Sequence, residues 1–130
     1  MNWLLVFTII AAIFFAGLVA FQLGLAMGMP WGKAAYGGRN AVLSQRLRIT
    51  SGMAVVIWLV AMLLVIRRYQ GEGLAFLNAG NVTFVLWLVA AYLALGVLMN
   101  AISPSPLERN IWTPATAIAL FATVAVNLSA

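Results

Sequence analysis

Of the 130 residues, 65% are hydrophobic and 7% charged, against about 45–50% and about 25% in ordinary water-soluble chains. So few polar groups cannot cover a water-facing surface, so lipid is the expected solvent, and the length fits a single domain. The absence of cysteine and histidine excludes disulfides, a thiol nucleophile, thiolate metal ligands and imidazole chemistry.

The first apolar segment, residues 3–28, reads WLLVFTIIAAIFFAGLVAFQLGLAMG and carries no charge. It lacks a basic flank and exceeds the about 7–15 apolar residues of a secretory signal, so a retained helix is expected. At 1.5 Å per residue it would reach about 39 Å, beyond the ~30 Å hydrocarbon core, which predicts tilt, a bend near Gly17 or Gly24, or projection from the membrane. Ala12, Ala16, Ala20, Gly24 and Gly28 recur at every fourth position. Such a row lets backbones approach closely. It predicts packing of this helix on the fourth, with a dimer face as the alternative.

Loop 1, residues 29–48, gathers four of the seven cations: Lys33, Arg39, Arg46 and Arg48. Its GMPWGKAAYGG stretch predicts irregular turns, whereas NAVLSQRLR from Asn40 can be helical and run into the second segment. GKAAYGG lacks the residue order of a phosphate-binding loop. The second segment, residues 49–66, is fenced by Arg48 and by Arg67 and Arg68, with Thr50 or Ser51 expected to begin or bend it. The third, residues 82–99, has Asn81 as its expected cap.

Loop 3 contains Ser105-Pro106-Leu107-Glu108, a capping-box pattern with proline at the first helical position. Thr113-Pro114 repeats the cap-then-proline signal. A short interfacial helix over about 106–112 is therefore expected before the fourth segment, residues 112–129. That segment is short and rich in alanine and threonine, and it spans a bilayer only if Trp112 and its neighbour Ile111 are counted.

Loops 1 and 3 share one side and carry five cations, against Arg67 and Arg68 on the other. The positive-inside rule then puts both loops in the cytoplasm and both chain ends outside, in the inner (plasma) membrane. Trp31, Tyr36 and Trp112 mark the inner interface and Trp3 and Tyr69 the outer one. Trp58 and Trp87 lie too deep for this belt. Cations that flank apolar segments read as membrane-surface anchors rather than a nucleic-acid footprint.

PWGKAAYGG together with SPSPLERNIWTP resembles a group of small uncharacterised bacterial membrane proteins with four helices. The resemblance implies the fold and supplies no activity. Two other four-helix families of this size fit poorly. Small multidrug exporters rely on a membrane-embedded glutamate in helix 1, where this chain has Gln22. The phenylalanine-and-threonine run of small fluoride channels has no counterpart in FVLWLVAAYLALGV.

Both acids, Glu72 and Glu108, fall outside the apolar spans, whereas proton-coupled carriers usually keep an ionisable group inside them. No catalytic pair stands out, and no cofactor or metal is implied. Gln22 and Asn100 are expected to hydrogen-bond near the inner end of helices 1 and 3, with a small polar solute site as the alternative; Asn127 is the third buried polar group. Glu108 is expected to lie near at least one of Arg39, Arg46 and Arg48, either as cap beside anchors or as part of a phosphate-headgroup site. The fold expected is all-α, an antiparallel bundle of four transmembrane helices with a short interfacial helix in loop 3. The function expected is a non-catalytic membrane scaffold or a lipid- or partner-binding protein. Its candidate partners are membrane lipids, anionic headgroups among them, and a second copy of the chain. The alternative is an oligomeric transport component that passes a small solute or ion.

Overall fold

Four helices, each long and apolar enough to cross a membrane, run up and down in the computed structural model, which describes residues 1–130. They are α1 (Trp3–Ala26), α2 (Gln45–Gln70), α3 (Ala79–Ala101) and α4 (Thr113–Ser129). The architecture is the all-α bundle expected. The helix ends differ from expectation in instructive ways.

Asn2 caps α1 by accepting from the Leu5 N–H at 3.0 Å. The helix stops where Gly28 takes a left-handed φ of 90°, and Arg48 Nε donates to the Ala26 carbonyl at 3.0 Å. A cation there also suits the negative end of the helix dipole. α2 begins at Gln45, earlier than the expected 49, because the extended Ser44 supplies the cap, accepting from the Leu47 N–H at 3.4 Å. Neither Thr50 nor Ser51 starts it, and the helix expected from Asn40 forms only from residue 45. At its far end, Gly71 at φ 73° sends its N–H to the Arg68 carbonyl, and the Glu72 N–H reaches Arg67, a Schellman motif. Asn78, not Asn81, caps α3, accepting from the Asn81 N–H at 2.9 Å.

The short helix expected over 106–112 forms, but it is continuous with α4 through a π-helical turn at Glu108–Trp112. Pro114 is the cause. It has no N–H for the fourth carbonyl back, and its ring crowds that carbonyl in α-helical register. Widening the turn, with the Thr113 N–H reaching the Glu108 carbonyl, relieves the conflict without ending the helix. The fourth span consequently runs Glu108–Ser129, 22 residues, which resolves its apparent shortness.

The core lies in the half of the bundle away from loops 1 and 3. Phe15 of α1 stacks on Trp58 of α2, with ring centres 5.7 Å apart. Leu64, Val65, Val82, Leu86 and Val126 are fully buried around them. α1 packs on α4 as expected, with Phe7 edge-on to Phe121 at 5.6 Å, but the small-residue row does not supply the contact. Ala16 and Ala20 are exposed, and α1 turns Thr8, Ala11, Phe15 and Leu18 inward instead. The volume of Phe15 against Trp58 outweighs the close approach that alanines would permit. On α4, Ala119, Thr123 and Asn127, which recur at every fourth position, are buried.

Side-chain ties distinguish the two ends of the bundle. At one, Asn2 Nδ2 donates to the Tyr69 hydroxyl at 3.4 Å. There Arg68 donates to Asn127 Oδ1 at 3.2 Å and to its carbonyl at 3.0 Å, while Asn127 Nδ2 donates to the Thr83 carbonyl at 3.1 Å. Both chain ends thus lie with the α2–α3 connection. Loops 1 and 3 meet at the opposite end.

Candidate functional site

The join between loops 1 and 3 depends on three consecutive left-handed residues, Tyr36, Gly37 and Gly38, at φ 47°, 81° and 73°. A Cβ on Gly38 would sit 2.8 Å from the Lys33 carbonyl oxygen and 2.9 Å from Ser105 Cβ, so only glycine fits. This turn aims the Gly37 N–H at Glu108 Oε1, 2.7 Å away. Ser105 Oγ donates to the Lys33 carbonyl at 2.5 Å and accepts from the Glu108 N–H at 3.3 Å. Ser103 Oγ donates to Glu108 Oε1 at 3.0 Å and accepts from the Ser105 N–H at 3.0 Å. Left-handed backbone at a tyrosine costs about 1–2 kcal/mol. The Tyr36 hydroxyl, 3.0 Å from Ser51 Oγ on α2, holds that conformation.

These bonds correct the capping-box expectation. Only half of the box forms, because the carboxylate bridges to loop 1 rather than returning to the Ser105 N–H. Glu108 forms no ion pair with Arg39, Arg46 or Arg48; the one ion pair in the molecule is Arg67 with Glu72, at the other end. The Arg39 and Arg46 side chains are exposed and make no hydrogen bond within the chain, while the Arg48 side chain is committed to the end of α1. Two neutral donors on fixed backbone satisfy Oε1 without the entropy loss of ordering a long cationic side chain.

Beneath this join lies a cavity of about 520 Å³. Gln22, Tyr36, Thr50, Asn100, Glu108 and Thr116 give it a polar end against the loops. The rest is apolar and aromatic. Met53, Ile57 and Trp58 come from α2, and Tyr92, Leu95 and Met99 from α3. Met53, Ile57, Tyr92, Leu95 and Met99 are all more than half exposed, so the cavity opens sideways between α2 and α3. Buried Leu18, Trp58 and Leu93 close it toward the core. From Thr50 to Trp58 it runs about 12 Å along α2.

Of the six residues singled out from the sequence, the structure brings Gln22, Asn100 and Glu108 to one cavity and leaves Arg39, Arg46 and Arg48 outside it. No lysine or arginine lines it. The expected Gln22–Asn100 hydrogen bond is not made. Asn100 Nδ2 donates to Thr116 Oγ1 at 3.4 Å, and Gln22 Oε1 is buried without a partner. An unmet buried acceptor costs about 1–3 kcal/mol. Sequence reasoning missed Tyr36 as a lining residue, the serine bridge from loop 3, and Tyr92. Trp58 left a signal, since it lies deeper than an interfacial belt allows.

Compared with protein-family models, curated proteins and solved structures, the chain matches none.

Proposed function

We propose that this protein is a non-catalytic, multi-pass membrane protein that takes an amphiphilic molecule sideways from the bilayer into the cavity between α2 and α3. One observation carries the reading: a laterally open, apolar mouth on the outer surface of the spans ends in hydrogen-bonding groups at the level of the loops. Its volume also falls in the range of small-molecule sites, about 300–1,000 Å³. The resemblance of the loop 1 and loop 3 motifs to small four-helix bacterial membrane proteins supports the membrane part of this reading and supplies no activity. In this reading loops 1 and 3 are cytoplasmic and the membrane is the inner one, supported by five cations against two and by the gathering of both chain ends at the other face. Exposed Lys33, Arg39, Arg46 and Arg109 anchor that face on anionic headgroups, at about 1 kcal/mol each. Passage of a solute through an oligomer would need the polar end to continue past Trp58. The buried Leu64, Val65, Val82 and Leu86 favour retention of the molecule instead.

The test is purification in native lipid, with mass spectrometry of what accompanies the protein, for the wild type and for Gly96→Phe. Gly96 lines the cavity, and a Cβ there makes only an ordinary 3.5 Å contact with Thr116, so the ring fills space without clashing at its root. The wild type should carry a defined amphiphile that the variant loses several-fold. Identical lipid profiles for the two would refute the reading.

A further inference from the structure

Resting on that reading, we infer that the amphiphile held in the cavity carries a positively charged amine or ammonium head and no phosphate. Two observations converge on this chemistry. The first is charge. The only ionised side chain lining the cavity is the Glu108 carboxylate, and no cation stands within ion-pairing distance of it. Its Oε1 is held by Gly37 and Ser103, while Oε2 accepts no bond within the chain. An anionic head would meet an unpaired carboxylate and no donor cation. A cationic head would meet a counter-charge whose position is already fixed, in surroundings less polar than water, where the attraction is stronger.

The second observation is the wall. Phe21, Tyr36 and Trp112 line the loop end of this space, where Glu108 lies, and Phe21 and Trp112 lie against each other with ring centres 5.0 Å apart. Aromatic faces attract cations, and quaternary ammonium groups are bound in cages of such rings. The five cations of loops 1 and 3 do not oppose this route. The molecule arrives from the lipid side between α2 and α3, and Arg48 is turned to the end of α1.

The probes are three dodecyl amphiphiles below their micelle-forming concentrations: dodecylammonium, dodecyl sulfate and an uncharged dodecyl oligoethylene glycol. Equilibrium dialysis measures their binding to the full chain in phosphatidylcholine nanodiscs, with empty discs subtracted. Wild-type protein should bind dodecylammonium saturably and roughly ten-fold or more tighter than the sulfate, the scale of one unscreened charge contact. Glu108→Gln, which keeps an oxygen for Gly37 and Ser103, should abolish that preference and leave the uncharged probe unchanged. Glu72→Gln, which alters the acid outside the cavity, should change nothing. Tyr92→Leu alters an exposed residue at the apolar end of the cavity and should weaken the three probes alike, leaving the preference for ammonium in place. Equal affinity for the three probes, or a preference unaffected by Glu108→Gln, overturns this inference and leaves the amphiphile site standing. No saturable binding of any probe overturns the site itself. Phosphatidylethanolamine competing as strongly as dodecylammonium overturns the exclusion of phosphate.

Discussion

Gly17 and Gly24 lie on the same helix, two turns apart, and an added methyl group meets opposite surroundings at each. At Gly17 it has no neighbour within 4 Å, whereas at Gly24 it would sit 1.9 Å from a ring carbon of Trp31. The ring stacks on Phe21 with centres 6.1 Å apart, so Gly24→Ala must expel the indole from α1. Alanine improves helix propensity at both sites by about 0.5–1 kcal/mol, and this term cancels between them. What remains is the lost packing of a half-covered indole. A tryptophan buries roughly 150–250 Å² when enclosed. Uncovering about 40–80 Å² at ~25 cal/mol/Å² amounts to about 1–2 kcal/mol. Thermal unfolding in detergent, followed by loss of α-helical circular dichroism, should place Gly24→Ala about 1–2 kcal/mol below Gly17→Ala. In a Trp31→Ala background the two should coincide. Equal stability of the two single variants would show that the indole does not rest on Gly24 and would refute the packing of loop 1 on α1.

Ser105→Ala removes both the donor to the Lys33 carbonyl and the acceptor for the Glu108 N–H, and should lower stability by about 1–3 kcal/mol, with faster proteolysis in loop 1. Unchanged proteolysis would mean that the two loops are not joined through this serine. The chain has no cysteine background, so single cysteines at exposed Ala41, Asn110 and Ala75 report orientation. Ala75 should label from outside intact cells, and the other two only after permeabilisation. Labelling of Ala41 in intact cells would reverse the proposed orientation.

Hydropathy marks the four spans plainly because a chain this apolar has only helices to satisfy its backbone in lipid. The ends were less legible, because several polar residues could cap the same helix. Asn78 and Asn81 are one turn apart, and the one that caps is settled by where the α2–α3 connection reaches the bundle. The π turn before α4 was partly visible in Pro114, whose missing N–H requires some relief, but proline at a helix start is equally ordinary. The partner of Glu108 was not legible at all. Sequence charge pointed to arginines, whereas the acceptor is claimed by a backbone N–H that the left-handed Tyr36-Gly37-Gly38 turn aims at it. The cavity residues come from α1, α2, α3, loop 1 and the turn into α4, so their meeting is a property of packing. The polar members Gln22, Asn100 and Glu108 stood out against apolar surroundings, while Tyr92 looked like any lipid-facing aromatic. The inward face of α1 was misread because the four-residue alanine row competes with Ala11, Phe15 and Leu18, one position away on the helix.

The most direct measurement of the central claim uses a long-chain amphiphile with a photoreactive diazirine in its tail, added to the protein in nanodiscs and mapped by peptide mass spectrometry. Bulk lipid touches every outward residue, including Ile13, Phe84, Ile118 and Phe121, which are as exposed as the cavity mouth. A molecule seated between α2 and α3 should concentrate the label on Met53, Ile57, Tyr92 and Met99, and excess unlabelled amphiphile should remove it from those residues first. Label spread evenly over the outward faces of all four helices, and undiminished by competitor at the α2–α3 mouth, would contradict the account.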